Sequence, residues 1–447
     1  MTLEIRHSRD FLNMVDKDRG LVDRRIYNDA DIYQAELEHI FARAWNFMCH
    51  SSQIPNPGDF FSTFIGEDRV LCVRDNDMNF QVLINSCRHR GNAVCRAEEG
   101  HATSFMCTYH GWTYDLKGNL VGVPGFKEVY HEELDRENWG LIKGRAEDYK
   151  GWVFATLDME APALHDYLGE VGRMGIDQMV ARGDTLQVMG IQKWTIPANW
   201  KFAVDNVWDY YHAAITHSSA GMSGWRGGVI IKPGEETAAQ LSRRRGNNYT
   251  SVLGRYGHTI GGPAILPGET PPNFGIVDQS WREKAESQEL LGPVGMRANG
   301  HPNIFPNFWI MTGFSKCSLR LPKGPTQSEI WWFAFANPEH DEEKRRAQVR
   351  RQSRHDGPAG VFEQDDGENW GESTTGTKGL SSSKYPLHYA MNLGHGEIID
   401  DESGPPHINT SNNEHSQLWF YHSWSKWMAS DSWEELDEMS TRPEGTM

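Results

Sequence analysis

Two short stretches, Cys87-Arg88-His89-Arg90-Gly91 and Cys107-Thr108-Tyr109-His110-Gly111-Trp112, decide the fold of the segment around them. Each stretch carries one cysteine and one histidine, and 17 residues separate the two pairs. Each pair follows strand-like sequence, and a glycine comes directly after each histidine. Two such loops that converge can supply two thiolates and two imidazoles to one metal site.

The order of these ligands, Cys-His-Cys-His, indicates which metal they bind. A structural zinc ion accepts two cysteines and two histidines, but its usual motif places the cysteines first and the histidines second. The alternating order suits a [2Fe–2S] cluster that has both cysteines on one iron and both histidines on the other, as in a Rieske centre. We therefore predict a Rieske cluster, with zinc as the alternative.

Around the two loops, from about residue 58 to 157, short strands alternate with turns. The predicted strands RVLCVR and FQVLINS flank the turn Asp75-Asn76-Asp77, and GWVFATLD closes the stretch. Strands of this length that are separated by turn residues predict a compact β domain.

Helical and strand patterns are mixed in the rest of the chain, which predicts an α+β protein with the all-β domain inserted near its start. We predict a helix over 31–45, a strand at 331–338 and a tryptophan-rich helix at 416–433. The charge run at 342–355 predicts a solvated helix face. The domain boundaries that we predict are 1–40 for an N-terminal helical part of the larger domain, 41–157 for the β domain and 158–447 for the rest of the larger domain.

A second candidate metal site contains His212 and His217, five residues apart. Five residues rotate by about 140° around an ideal helix, so both rings reach one metal only through a π-bulge or a helix that breaks after His212. Asp209 precedes His212 by three residues and, on a helix, shares its face, where it can orient the imidazole. Iron(II) that activates O2 is typically held by two histidines and one carboxylate. The candidates for the carboxylate are Glu363, Asp365, Asp366 and Glu368.

Together, the Cys–His loops, the stretch from Asn199-Trp200-Lys201 to His217, and the segment EQDDGENW at 363–370 resemble the large (α) subunit of Rieske aromatic-ring-hydroxylating dioxygenases. The branch concerned includes the naphthalene, biphenyl, phenylpropionate and terephthalate enzymes. The resemblance spans nearly the whole chain, from RIYNDADIYQAELEHIFARAWNFMCHSSQIPNPGDF to LWFYHSWSKWMASDSW. It implies an all-β Rieske [2Fe–2S] domain inserted in a larger catalytic domain, which has an antiparallel sheet flanked by helices.

The resemblance also implies the roles of individual residues. Cys87, His89, Cys107 and His110 would bind the [2Fe–2S] cluster, and a mononuclear Fe(II) would be bound by His212, His217 and Asp366. Asp209 would link this iron site to His110 of the partner subunit. Weaker candidates for the substrate pocket lie next to the ligands: Asn206, Val207, Trp208, Ala213 and Phe362. A substrate that bears a carboxylate would need a pocket cation, for which the sequence offers Arg226, Lys232 and Arg243–Arg245.

The implied activity is that of a terminal oxygenase, which uses O2 and electrons from a ferredoxin and an NAD(P)H-dependent reductase to cis-dihydroxylate an aromatic ring. Because the chain has no nicotinamide or flavin fingerprint, the electrons must come from separate proteins. The implied assembly is α3β3 with a small β subunit, or otherwise α3. Two alternatives remain open: a Rieske monooxygenase that acts on an aromatic or polycyclic substrate, and a Rieske electron carrier without catalytic iron.

Composition narrows the classes of partner and compartment. The 447 residues include 61 Asp and Glu against 44 Lys and Arg, so the formal net charge is −17 and we expect neither nucleic acid nor an anionic membrane as a partner. The charged opening MTLEIRHSRDFLNMVDKDRG predicts no secretory signal, and the lack of an apolar run near 18 residues predicts no membrane span. Six cysteines as thiols or metal ligands suit a reducing compartment, so we expect a cytoplasmic protein.

Overall fold

The computed structural model describes residues 7–222, 225–226, 229–230, 248–266 and 279–447. The chain divides into two compact units, one formed by Met1–Ile40 with His165–Met447 and the other by Phe41–Leu164. The predicted domain boundaries were 40/41 and 157/158. The candidate pocket cations Lys232 and Arg243–Arg245 and the side chain of Arg226 lie outside the described part of the chain.

The smaller unit is built from antiparallel strands. Its main sheet has seven strands, in the spatial order Asn46–His50, Trp152–Thr156, Lys143–Tyr149, Phe80–Ile84, Asp68–Arg74, Asp59–Ile65 and Glu99–His101. The predicted hairpin around Asp75-Asn76-Asp77 is present, with Val70 opposite Ile84. A second sheet contains Leu120–Gly122, Thr113–Tyr114 and Phe105–Met106. The core of this unit includes Leu71 and Leu83 together with Cys87, Cys107 and Trp112, so both Cys–His loops are anchored in it.

The larger unit contains an eight-stranded antiparallel sheet. In spatial order its strands are Gln187–Ile196, Ser328–Ala336, Lys316–Pro322, Phe308–Met311, His301–Ile304, Thr259–Pro263, Tyr249–Leu253 and His407–Thr410. The strand predicted at 331–338 overlaps the observed strand Ser328–Ala336, which begins three residues earlier and ends two residues earlier. Small additional strands are Val15–Asp16, Leu21–Val22 and Leu387–His388 in one sheet, and Trp225–Arg226 and Val229–Ile230 in a hairpin.

Helices accompany this sheet. The α-helices are Ala30–Glu36, Leu164–Val180, Trp200–Asp205, Ala213–Thr216, Ser218–Met222, Ala285–Arg297, Glu342–His355, Glu363–Thr377, His415–Ala429 and Trp433–Met439. The helix predicted over 31–45 begins after the N-cap residue Asp29 and continues beyond Glu36 as a π-helix, Leu37–Phe41. The tryptophan-rich helix, His415–Ala429, is buried along most of its length and packs against the strands Tyr249–Leu253 and Thr259–Pro263.

A buried ion pair fixes the helix Trp200–Asp205, which leads into the candidate iron site. The Glu36 carboxylate accepts hydrogen bonds from Nζ of Lys201, from Nε1 of Trp200 at 2.9 Å and from Nε1 of Trp424 at 2.8 Å. Both charged side chains are fully buried. Removing only one of them would leave an uncompensated buried charge, which typically costs about 3–5 kcal/mol.

None of the helices in the described part of the chain combines the length and the apolar character that crossing a bilayer requires.

Candidate metal centres

The two Cys–His loops of the smaller unit have the same backbone geometry. In each loop the cysteine carbonyl accepts a hydrogen bond from the glycine N–H four residues later, at 2.8 Å for Gly91 and 2.9 Å for Gly111. Both glycines have φ of +74°, which favours glycine, and a Cβ at Gly111 would also meet Pro124 at 2.9 Å. Two equivalent tight turns therefore present equivalent Cys-His pairs.

The loops bring their side chains together. The imidazole rings of His89 and His110 lie with centroids 4.5 Å apart, and His89 stacks on Trp112 at 5.0 Å. Nδ1 of His89 is buried without a hydrogen-bond partner in the described structure. Burial opposes ionisation of Cys107, but hydrogen bonds from the backbone N–H of Tyr109 and from Asn92 outweigh it and lower the pKa of the thiol. Two cysteines, of which one favours the thiolate, and two adjacent histidines, one with an unpaired nitrogen, fit the donor set of a Rieske cluster.

Tyr114→Phe is expected to lower the reduction potential of the cluster. The Tyr114 hydroxyl lies 3.3 Å from Sγ of Cys87, and a hydrogen bond to a ligand sulfur stabilises the more negative, reduced cluster. Loss of one hydrogen bond of about 1 kcal/mol corresponds to about 40 mV for a one-electron couple. Voltammetry measures this shift. Tyr130→Phe, a change in a ring that packs on Trp112, serves as the control; an unchanged potential in Tyr114→Phe would refute the assigned hydrogen bond.

In the larger unit, the chain turns before His212 and not after it. The helix Trp200–Asp205 continues as a 3-10 turn, Asn206–Trp208, and ends at Asp209. Oδ1 of Asp209 accepts the backbone N–H of Tyr211 at 2.9 Å and of His212 at 3.1 Å. His212 and His217 then flank the short helix Ala213–Thr216. The predicted π-bulge and the predicted break after His212 were both wrong: the chain turns at Asp209, whose carboxylate accepts two backbone N–H groups, and the next helix, Ala213–Thr216, begins directly after His212.

This turn assembles three donor atoms. Nε2 of His212 lies 3.2 Å from Nε2 of His217, and Oδ1 of Asp366 lies 3.2 Å and 3.3 Å from these two nitrogens. Three donors on one face of an octahedron lie about 3 Å apart when each bond to the ion is about 2.1 Å. The buried Oδ1 of Asp366 has no hydrogen-bond partner in the described structure. The donor set and spacing therefore fit a divalent ion with open positions on its other side.

The electrostatics of this group also favour a cation. Burial lowers the pKa of His212, but Asp209 and Asp366 outweigh burial and raise it to about 10. Burial likewise opposes ionisation of Asp209, and its hydrogen bond with His212 lowers the pKa of the carboxyl. Burial lowers the pKa of His217. The attraction that would hold a proton on His212 can hold a metal ion instead, with release of that proton.

The four candidate carboxylates all belong to the helix Glu363–Thr377 but occupy different environments. Only Asp366 reaches both histidine Nε2 atoms within the described structure. Oδ2 of Asp365 lies 3.6 Å from Nδ1 of His217, much as Oδ2 of Asp209 lies 3.4 Å from Nδ1 of His212. Glu363 is buried against Arg320 and Trp332, and Glu368 is exposed. The geometry favours Asp366 as the third ligand, with Asp209 and Asp365 behind the two histidines.

A cavity of about 370 Å³ opens beside Asp209 and His212. Asn206, one of the pocket candidates, lines it, whereas Val207 and Trp208 are buried in the core. Ala213 is half-buried in the short helix, and Phe362 packs its ring 4.9 Å from that of His217. The cavity also contains residues that sequence reasoning missed, among them Asp205, Tyr389 and Glu414.

Asp205 is the most unusual of these residues. Its Oδ2 accepts hydrogen bonds from the hydroxyls of Tyr389 at 2.7 Å and Tyr421 at 2.5 Å. Burial raises the pKa of this carboxyl to about 7. Its spacing of four residues from Asp209 could have indicated that Asp205 lies near the same site. Its two tyrosine partners could not be predicted, because they come from distant segments that no local pattern connects.

Comparison with known families covers both units. The family model described as "Ring hydroxylating alpha subunit (catalytic domain)" matches residues 170–430, and the model described as "Rieske [2Fe-2S] domain" matches residues 44–133. The first range contains the His212, His217 and Asp366 group, and the second contains both Cys–His loops.

Curated relatives and solved structures match over nearly the full length. The biphenyl dioxygenase α subunit of Paraburkholderia xenovorans is 36% identical over 95% of this chain and 94% of its own length. The benzene 1,2-dioxygenase α subunit of Pseudomonas putida is 36% identical over 95% and 94%. A mutant naphthalene 1,2-dioxygenase bound to phenanthrene superposes with a TM-score of 0.84, at 28% identity, over 96% of this chain and 97% of that one.

Proposed function

Since the chain belongs to the family of ring-hydroxylating oxygenase α subunits with a Rieske domain, we propose which of its residues carry the reaction, what it acts on and how it assembles. The family function is that of a terminal oxygenase. The enzyme uses O2 and electrons from a ferredoxin and a reductase to cis-dihydroxylate an aromatic ring. Its cofactors are a [2Fe–2S] Rieske cluster and a mononuclear iron. The relatives act on biphenyl and benzene, and we propose an aromatic substrate of one or two rings.

The proposed ligands follow from the geometry. Cys87, His89, Cys107 and His110 hold the cluster in the domain 41–157; the catalytic domain comprises 1–40 and 158–447, and His212, His217 and Asp366 hold the mononuclear iron. The single observation that carries the assignment of the catalytic iron is the triangle of two Nε2 atoms and one Oδ1 atom with sides of 3.2–3.3 Å. When bound, the two centres supply single electrons and the activation of O2.

The protein's own side chains orient the two histidine rings and exclude water from the site. Asp209 and Asp365 stand behind His212 and His217 at 3.4 Å and 3.6 Å, and so orient the two rings. Phe362 packs against His217 in a T-shaped contact at 4.9 Å and keeps water from that side of the site. Dihydroxylation of a ring takes up both atoms of O2, two electrons and two protons, so the site also needs a proton supply.

The route by which electrons reach the iron determines the assembly and the compartment that we propose. We place Asp209 between this iron site and His110 of the partner subunit, which requires a cyclic oligomer, either α3β3 with a small β subunit or α3. Side chains on both sides fit this role: His110 is half-exposed and Asp209 keeps 36% of its side chain exposed at the cavity. Dependence on an NAD(P)H-dependent reductase supports a cytoplasmic location.

The test is reconstitution with ferredoxin, reductase and NADH under ¹⁸O2, with biphenyl, benzene and naphthalene as substrates. We expect a cis-dihydrodiol that carries two ¹⁸O atoms from the same O2 molecule. A control without ferredoxin should give no product. A product with one ¹⁸O atom would identify a monooxygenase instead, and electron uptake without any organic product would contradict the proposed ring oxidation.

A further inference from the structure

A group of polar side chains lies next to the candidate iron site and has no part in metal binding. The ring of His355 stands between Phe314, at a centroid distance of 4.1 Å, and Phe362, at 4.5 Å. Phe362 in turn contacts the ring of His217. Only one phenyl ring therefore separates His355 from a proposed iron ligand. All three rings, Phe314, His355 and Phe362, keep part of their surface uncovered.

The orientation of His355 is fixed by a buried ion pair. Nδ1 of His355 lies 2.8 Å from Oδ2 of Asp356, and the same carboxylate oxygen accepts a hydrogen bond from Nζ of Lys316. Burial opposes ionisation of Asp356, but His355 and Lys316 outweigh it and keep the pKa of this carboxyl well below its usual range. An ionised carboxylate cannot donate, so Nδ1 of His355 carries a hydrogen, and in the neutral ring Nε2 is the acceptor. Nε2 makes no hydrogen bond to the described residues.

His301 adds a second polar atom to the same group. Its ring stacks on Tyr210 at 5.4 Å and meets the edge of Trp309 at 5.2 Å, while Nδ1 is buried without a partner in the described structure. Burial lowers the pKa of His301 to about 3, with Asp356 and His355 among the charged groups that act on it. A neutral imidazole with an unpaired nitrogen is costly inside a protein unless a ligand pairs with it.

Formal charge in this group cancels. Lys316 pairs with Asp356, and the buried Arg320 lies 3.4 Å from Glu363. These two buried cations are therefore already paired with carboxylates of the chain itself. The group therefore suits a neutral polar substituent on an aromatic ring: the phenyl rings can stack on the ring, and an imidazole lone pair can accept a hydrogen bond.

We propose, on the premise of the function proposed above, that the aromatic substrate carries a phenolic hydroxyl group, which donates a hydrogen bond to Nε2 of His355. His301 lies in the same group and is the second candidate for contact with the substituent. The inference narrows the substrate class from aromatic hydrocarbons, which the relatives' names indicate, to hydroxylated aromatic compounds.

The test compares matched pairs: benzene with phenol, naphthalene with 2-naphthol, and biphenyl with 3-hydroxybiphenyl. Binding to the anaerobic holoenzyme is followed by tryptophan fluorescence, and turnover by product formation with ferredoxin and reductase. In at least one pair, the hydroxylated compound should have a Kd lower and a kcat/KM higher by about ten-fold, the ratio that one hydrogen bond supplies. Biphenyl-4-carboxylate should bind no better than biphenyl.

Variants then assign the preference to the residue. His355→Phe keeps an aromatic ring between Phe314 and Phe362 and leaves Lys316 paired with Asp356, so it should fold. We expect it to bring the Kd ratio of the preferred pair to about one, whereas His165→Phe, at an exposed histidine of the same unit, should keep the ratio. Asp356→Asn weakens the orientation of His355 and should lower the ratio in part; where it fails to fold, His355→Phe decides.

The outcomes separate this inference from the proposed function. A ratio near one for every pair, a ratio that survives His355→Phe, or a preference for the carboxylate would each overturn the hydroxyl assignment while dioxygenation of the hydrocarbons stands. Failure to oxidise any of the compounds would contradict the proposed function, and the Kd ratios of the same pairs would still decide the inference.

Discussion

Asp366→Ala is expected to lose the mononuclear iron while it keeps the [2Fe–2S] cluster. Product formation should fall by more than about 100-fold, which is a larger loss than removal of a hydrogen-bond partner behind a metal ligand causes. Oδ1 of Asp366 completes the triangle with the two histidine Nε2 atoms, and its removal leaves two donors that cannot hold iron on one face. Iron analysis should fall from about three to about two atoms per chain, with the visible spectrum of the cluster unchanged.

Asp365→Ala provides the matched control, because it removes a carboxylate from the neighbouring position of the same helix. Asp365 lies 3.6 Å from Nδ1 of His217 and accepts a hydrogen bond from Ser219, so its loss loosens the ring but removes no donor of the triangle. We expect this variant to retain the mononuclear iron. If Asp365→Ala loses the iron and Asp366→Ala keeps it, the choice between the two adjacent carboxylates is wrong.

Much of the fold follows from local sequence, because each signal lies within one element. The turn residues Asp75-Asn76-Asp77 predicted a hairpin that the structure contains, and the tryptophan-rich stretch at 416–433 predicted a helix, which the structure has at His415–Ala429. The Rieske cluster and the mononuclear iron were likewise predicted, and the family comparison confirms both cofactors. The carrier without catalytic iron is excluded, because the catalytic-domain model matches residues 170–430.

The path of the chain between Asp205 and His217 was not predictable from periodicity. The sequence predicted that a π-bulge or a break after His212 would bring the two histidines together, yet the chain turns earlier, where Asp209 uses one carboxylate oxygen to accept two backbone N–H groups. Asp209 lies next to His212, as predicted. The two residues do not share a helix face; instead, Asp209 accepts the backbone N–H of His212 in the turn. Local hydrogen bonding to a short acidic side chain outweighed the propensity of the segment.

The polar group around His355 could not be predicted from the sequence either. His355 belongs to the helix Glu342–His355, which the charge run predicted to be solvated, but its last turn is half-buried against Phe314 and Phe362. Its ionic partner Lys316 comes from a strand of the central sheet. Such a group exists only once the strand and the helix meet, so no pattern along the sequence marks it.

Asp209→Asn is expected to keep both metal centres and to stop electron delivery between them. Oδ1 of Asp209 accepts two backbone N–H groups, and an asparagine oxygen can accept the same bonds, so the turn that presents His212 should persist. The negative charge that faces the cavity would be lost, and with it the proposed acceptor for His110 of the partner subunit. In a single turnover with substrate and O2, stopped-flow absorbance should show cluster oxidation slowed by more than about 100-fold.

Glu414→Gln separates this role of Asp209 from a general effect of charge in the cavity. Glu414 lines the same cavity, and its Oε2 accepts the backbone N–H of Met391 at 2.8 Å, a bond that glutamine can also accept. Transfer should remain fast in this variant, because Glu414 does not face a ligand histidine within the described structure. Normal transfer in Asp209→Asn would refute the bridging role. So would an enzyme that is active as a monomer at every dilution, because the proposed bridge places the electron donor and the acceptor in different copies of the chain.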